Sequence, residues 1–247
     1  MISTVIITYN EEEVLERCLK SLDGFSDEII VVDSNSSDRT LEIARKYKAK
    51  IVEQKLTSFA EQRNLGFKHA KGDFLFYLDA DEEITSEFKK EVLGLVSEYN
   101  PESNIAGYFI NRKTYYFGKD WGLTDQVQRL FYAKKLKEWY GVVHETPKVD
   151  GRFDQISSPI NHFTHRNLEQ MLEKTNRWSV YEAKLRFDAH HPKMSWWRFP
   201  RVMIPEFFKS YIGQKGYKNG TAGFIEAMYQ SFSIFITYAK LWELQNK

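Results

Sequence analysis

Glycine is scarce where a phosphate-binding protein would need it. Only 13 of the 247 residues are Gly, and neither a Gly-x-Gly-x-x-Gly turn nor a Walker-type loop follows the first apolar segment. Rossmann dehydrogenases and P-loop NTPases are thereby disfavoured. Cysteine is nearly absent: Cys18 stands alone, which excludes an internal disulfide framework and suits a reducing compartment. Charge of one sign is lacking too, with 35 Lys+Arg against 34 Asp+Glu, and no nucleic-acid partner is expected of so balanced a chain. No basic segment separates Met1 from the apolar run Ile2–Ile7, so no secretory leader is expected. The uncharged stretch Ala227–Ala239 is interrupted by Gln230, Ser231, Ser233 and Thr237. It falls short of the roughly 20 apolar residues that a bilayer span requires.

What is present is a globular composition, 42% hydrophobic and 28% charged, which excludes disorder and collagen-like repeats. The charge is unevenly placed. Residues 1–103 carry 13 Lys+Arg and 21 Asp+Glu, whereas residues 104–247 carry 22 and 13, so the two halves are expected to do different work. The first hundred residues alternate apolar runs with helical segments: Ser3–Thr8, Glu28–Asp33, Ile51-Val52 and Phe74–Asp79 read as strands. Asn10, with Glu13 three residues on, reads as a capping box for a helix reaching about Leu22, and Ser36-Ser37-Asp38 as the opening of a helix to Tyr47. Ser58 and Glu61 cap a third helix toward Ala70. Continuous apolar strands separated by helices predict an α/β domain with a mostly parallel sheet covered on both faces.

Ligands of such sheets bind outside the carboxyl ends of the strands. Thr8, Tyr9, Asn10 and Glu11 follow the first strand, Asp33 ends the second, and Asp79-Ala80-Asp81 follow the fourth. Asp79 and Asp81 at one strand end can share Mg²⁺ or Mn²⁺, hard cations that take oxygen ligands and complete their shells with phosphate and water. The competing reading is a turn before a helix, since Asp and Glu favour both. Arg63 likewise reads either as a diphosphate ligand or as part of a solvated helix face.

At this point the residues resemble a family. Thr8-Tyr9-Asn10-Glu11-Glu12, Val31-Val32-Asp33-Ser34-Asn35-Ser36-Ser37-Asp38-Arg39-Thr40, Arg63-Asn64 and Leu78-Asp79-Ala80-Asp81-Glu82 look like the ordered signature of GT-A family-two glycosyltransferases. Gln128-Arg129-Leu130-Phe131 and Gly141-Val142-Val143-His144-Glu145 are similar to the branch acting in bacterial lipopolysaccharide inner-core assembly, which includes glucosyltransferases. The resemblance implies a nucleotide-sugar site. Thr8 and Tyr9 would flank the nucleobase, Asp33 would accept from its imide N–H and favour uracil, and Glu11 would lie nearby. Arg63 would face the diphosphate, and Arg129 would join the nucleotide-sugar ligands. Asp79 would hold the ribose or lie near the metal, and Asp81 would bind the metal. Glu145 would be the catalytic base, with His144 orienting it or facing the substrate. On residues alone, Glu145 reads as a surface Glu before Pro147. His162 could reach the diphosphate or the metal, or be structural; the strand-like alternation of Ile160–His165 places it and His165 on opposite faces.

The chain departs from many relatives. Gln126-Val127-Gln128-Arg129-Leu130 stands where a Gln-x-x-Arg-Trp motif would be, and Asn176-Arg177-Trp178 lacks the spaced Gln. A single-sugar transferase is therefore expected over a processive polymerase. The expected division is a GT-A catalytic domain over 1–165, with a nucleotide half 1–103 and an acceptor half 104–165, then a helical, aromatic and basic extension over 166–247. Residues 184–218 hold eight Lys+Arg against two acids, interleaved with Trp and Phe. Segment 193–212 reads as an interfacial membrane helix, the alternative being a core or homo-oligomer contact. Gly213, Gly216, Gly220 and Gly223 read as a flexible connection to a helix over Phe224–Leu244. The function expected is inverting transfer from a UDP-sugar to a membrane glycolipid, at the cytoplasmic face of the membrane. The rivals are a polyprenyl-phosphate glycosyltransferase and an inactive membrane-bound nucleotide-sugar-binding module.

Overall fold

A computed structural model describes residues 1–141 and 145–247. In chain order the elements are β1 (Ile2–Thr8), α1 (Leu15–Ser21), β2 (Glu28–Asp33), α2 (Thr40–Lys46), β3 (Lys50–Glu53), α3 (Phe59–His69), β4 (Phe74–Asp79), β5 (Glu82–Ile84) and α4 (Ser86–Ser97). There follow β6 (Ile105–Tyr116), β7 (Lys119–Tyr132), β8 (Leu136–Tyr140), β9 (Thr146–Val149), β10 (Arg152–Thr164), α5 (Leu168–Asp188), α6 (Arg198–Phe208) and α7 (Gly220–Gln245). One eight-stranded sheet runs β3-β2-β1-β4-β7-β6-β10-β5, and β8 pairs with β9. The first four strands are parallel; β7 joins β4 antiparallel, and β5 joins β10 antiparallel.

Both faces of β1, β2 and β4 are buried along most of their length, which is why these strands are largely apolar; β3, at the edge of the sheet, is exposed at both ends. Side chains alternate along β4: Phe74, Phe76 and Leu78 pack with Leu15, Leu19, Phe88 and Val92 of α1 and α4. Leu75 and Tyr77 pack on the other face with Ala60 and Trp139. Gly66 lets α3 approach that face, since a Cβ there would lie 2.2 Å from Val5 Cγ1.

Two helix starts differ from the sequence expectation. α1 begins only at Leu15, without a side-chain cap, because Asn10 is engaged elsewhere. Its backbone is left-handed (φ 53°) and its Oδ1 accepts from Ser37 N–H at 2.8 Å. α2 begins at Thr40, since Asp38 Oδ1 accepts from Thr40 N–H and Ser36 Oγ donates to Asp33. By contrast, Ser58 caps α3 by accepting from Glu61 N–H.

The chain divides into two compact units, residues 1–114 with 124–163, and residues 115–123 with 164–247. In the second, α5, α6 and α7 pack together with the 115–123 turn, where Phe117 N–H donates to the His165 carbonyl at 3.1 Å. The glycines before α7 do not form a slack linker. A π-helical turn spans Lys209–Gly213, a 3-10 turn spans Gly216–Asn219, and α7 starts at Gly220. A Cβ on Gly223 would lie 1.8 Å from the Gly216 carbonyl oxygen, so Gly216 and Gly223 serve close packing, while Gly220 has a positive φ of 58°. Among the described residues no helix is long and apolar enough to cross a membrane.

Candidate active site

Parallel register brings the candidate residues to one sheet edge: Thr8 pairs with Asp33 and Ile7 with Asp79. The loops there are tied together by their own polar residues. Asp33 is 0% exposed; its Oδ1 accepts from Thr8 Oγ1 (2.8 Å) and Ser36 Oγ (2.6 Å), and its Oδ2 from Ser36 N–H (2.7 Å). A carboxylate offers about four acceptor positions, so one remains on Oδ2. Glu11 N–H donates to Thr40 Oγ1 and Glu12 N–H to Asp38 Oδ2. Tyr9 and Glu11 are half-buried beside these bonds.

At the end of β4 stands a cluster of three arginines and four carboxylates. Arg63, 2% exposed, lies over the rings of Trp139 and Tyr77 at 5.1 and 5.7 Å. Its Nη2 donates to Asp79 Oδ1 at 2.9 Å, while its Nε donates to Glu145 Oε1 at 3.1 Å. Arg129 Nη2 donates to Asp79 Oδ2 at 2.6 Å. Arg112 Nη1 donates to Glu82 Oε1 at 3.0 Å and lies 3.9 Å from Asp79 Oδ2. Its Nε and Nη2 grip Asp125 at 3.2 and 2.5 Å. The other Glu82 oxygen accepts from Asp79 N–H. Among the described residues, Arg63 Nη1 and Arg129 Nε are buried without an acceptor, donors of the kind that a bound water or ion would satisfy.

These neighbours set the ionisation. Burial works against the charged form of Asp79, but Arg129, Arg63 and Arg112 outweigh it and hold its carboxyl well below the usual range. Burial and then the Asp79 charge push the Glu82 carboxyl up, with Arg129 and Arg112 pulling the other way. His162 Nε2 lies 3.5 Å from Asp81 Oδ2. Burial would lower its pKa, yet the Asp81 carboxylate raises it. The β5–β10 register pairs His162 with Glu82, and Phe163 N–H donates to the Asp81 carbonyl.

Of the residues singled out from the sequence, Arg63, Asp79, Arg129 and Glu145 meet in one cluster. Asp81 and His162 form a pair, and Thr8 and Asp33 form another. His144, with Val142 and Val143, lies outside the described residues. Sequence reasoning gave no role to Arg112, Asp125, Glu82 or Asn64. Asn64 exchanges two hydrogen bonds with the Trp139 backbone, at 2.7 and 2.8 Å, and so fixes β8 against α3. Glu82 and Asn64 stood inside quoted motifs, whereas Arg112 and Asp125 carried no local signal.

The glycosyl transferase family 2 profile matches residues 3–194. The chain belongs to that family. Among curated members, an uncharacterized glycosyltransferase of Rickettsia typhi is 29% identical over 265 residues, covering 100% of this chain and 88% of that protein. The lipopolysaccharide core biosynthesis glycosyltransferase LpsC of Rhizobium meliloti is 24% identical over 258 residues, covering 98% and 92%. Among solved structures, glucosyl-3-phosphoglycerate synthase of Mycobacterium tuberculosis with Mn²⁺, UDP and glucosyl-3-phosphoglycerate matches with TM-score 0.37 and 23% identity. That match covers 47% of this chain and 44% of that one. For a family 2 glycosyltransferase, the α/β sheet described above is the GT-A architecture the signature implied.

Proposed function

We propose that this glycosyltransferase moves one sugar from a UDP-sugar to a membrane glycolipid, with inversion, in lipopolysaccharide core or other cell-surface glycan assembly. The observation that carries the reading is the Arg63 fork. One buried guanidinium joins Asp79, at the donor end of the parallel sheet, to Glu145, the candidate base. Transfer from a nucleotide sugar needs both functions close together: stabilisation of a diphosphate leaving group and a base for the acceptor hydroxyl. The acceptor oxygen attacks the anomeric carbon, the bond to UDP breaks, and Glu145 takes the hydroxyl proton. Arg63 and Arg129 face the departing diphosphate, held in place by Asp79. The likeness to LpsC supports the class of glycan.

The donor set at Asp81 and His162 fits a divalent cation. No three His, Cys, Asp or Glu among the described residues are placed to hold a metal ion together, but Mg²⁺ or Mn²⁺ bound with substrate phosphate and water needs only one or two protein ligands. When bound, it would neutralise diphosphate charge. Asp79, both of whose oxygens accept from arginines, contributes chiefly by fixing those arginines. The nucleobase lies against Thr8, Tyr9 and Glu11, with the remaining Asp33 acceptor position available to an imide N–H. The enzyme works at the cytoplasmic face of the membrane, attached peripherally through the basic aromatic segment 193–212.

A thermal-shift series with UDP, GDP, CMP and dTDP, each with and without Mn²⁺, tests the donor class, because ligands of the folded state raise melting by mass action. UDP should give the largest shift and Mn²⁺ should enlarge it; equal shifts with GDP would sink the assignment. Asp81→Ala should remove the Mn²⁺ increment while leaving apo-protein melting unchanged.

A further inference from the structure

α6 and α7 pack antiparallel. Phe199 meets Phe235 at 5.4 Å, Ser231 Oγ donates to the Met203 carbonyl, and Phe207 meets Phe224 at 5.9 Å, so positions ascend on one helix as they descend on the other. Each residue turns about 100° along a helix. In an antiparallel pair, the same sense of rotation away from the contact line leads to the same side. Ile204 and Phe208 follow the contact residues Met203 and Phe207 by one, and Met228 and Phe232 follow buried Ala227 and Ser231 by one. These four therefore share one face, and all are exposed. Ile212 continues it beyond α6, and Trp196, 82% exposed, stands just before the helix. Phe199, Phe207 and Tyr211 belong to the packed side. The sequence segment 193–212 is thus divided between core and surface, and α7 supplies part of the surface.

The surrounding charge is of one sign. Arg201, Lys209, Lys215 and Lys218 are exposed. Between residues 189 and 242 the sequence holds two acids: Glu206 pairs with Lys209 at 3.0 Å, and Glu226 is buried on His165. A second copy docked through this face by a two-fold axis would set the basic rim against itself. An anionic lipid surface instead meets both features, with rings and aliphatic side chains at the acyl boundary and cations at the headgroups.

We propose that the exposed face shared by α6 and α7 is an in-plane docking surface for an anionic lipid bilayer. This rests on the reading of a membrane-borne acceptor and assigns the residues that would meet the membrane. The purified full chain should co-sediment with equimolar phosphatidylcholine–phosphatidylglycerol vesicles and be released by high salt. It should ignore vesicles of phosphatidylcholine alone. The double variant Ile204→Glu/Phe208→Glu, at two solvent-facing positions, should bind the anionic vesicles at least about tenfold more weakly with unchanged melting and an unchanged UDP-induced thermal shift. Arg201→Glu/Lys215→Glu, which leaves the apolar face whole, should also weaken binding. Equal binding to neutral vesicles, no vesicle binding by the parent protein, or full binding by the double variants would overturn the proposal. So would a dimer, seen by light scattering, that Ile204→Glu/Phe208→Glu dissociates. Loss of the UDP shift in the parent protein would instead strike the glycosyltransferase reading, because that shift is measured without lipid.

Discussion

The sheet edge that holds the candidate site and the α6–α7 face both gather cations with aromatic rings, yet they handle charge in opposite ways. At the sheet edge, Arg63, Arg112 and Arg129 are largely buried, and each donates to carboxylates of the same unit. On the helical face, Arg201, Lys209, Lys215 and Lys218 are exposed, and among the described residues the ion pair they form is Lys209 with Glu206, three residues before it. A buried guanidinium loses much hydration and depends on fixed acceptors, so its position is determined before a substrate arrives. An exposed cation keeps its water and is worth little to stability. The first arrangement suits charge developed during a reaction; the second suits attraction to a broad surface.

The comparison can be broken most severely at Glu145. Glu145→Gln keeps the acceptor for Arg63 but loses basicity, so kcat should fall about 10²–10⁴-fold while UDP-sugar affinity stays close to normal. Single-turnover transfer and donor binding measured on one preparation decide this; transfer at the parent rate would remove Glu145 from the base role. Next comes Asp79→Ala, which leaves crowded arginines short of a carboxylate and should cost about 3–5 kcal/mol of stability, read from urea unfolding. A midpoint equal to the parent's would mean that the arginines do not depend on Asp79.

A smaller effect distinguishes a carboxylate that holds backbone. Glu91 on α4 accepts from Ser157 and Ser158 N–H, both at 2.8 Å. Burial opposes its charge, but the Ser158 hydroxyl and these N–H groups lower its pKa overall. A carboxyl lowered in the folded state adds stability above its ordinary value, about 4.3, and loses it as the pH falls through the folded value. Glu91→Gln should therefore cost about 1 kcal/mol at neutral pH, with the gap to the parent closing under acid; a gap constant with pH would contradict it. The smallest effect belongs to the exposed Lys184–Asp188 pair, with side chains 60% and 54% exposed. Lys184→Ala should change stability by no more than about 0.5 kcal/mol in the same unfolding assay.

The parallel half of the fold was legible because its signals are local. Apolar runs bounded by turn residues locate β1, β2 and β4, and the Ser58–Glu61 cap is complete within four residues. Asn10 misled for the opposite reason: its acceptor serves Ser37, 27 residues away, and a capping rule looks only three residues ahead. Carboxylates at strand ends were readable by position, since parallel strands deliver their ends to one edge. Arg112 was not, because its worth comes from Glu82 and Asp125, brought to it by β5, β6 and β7. Gly216 and Gly223 were read as slack because composition records the missing side chain and omits what fills the space.

The division of the chain has a consequence for modularity. The backbone passes between the two compact units three times, after residues 114, 123 and 163, because the turn joining β6 to β7 belongs with the C-terminal helices. A single cut near residue 165 would yield neither unit whole: the helices would lose Phe117 N–H on the His165 carbonyl and the stacked Tyr116 ring. Exchange of the helical unit between relatives thus requires two segments to travel together. Recombination at one crossover should be tolerated less well here than in an enzyme whose C-terminal extension is merely appended.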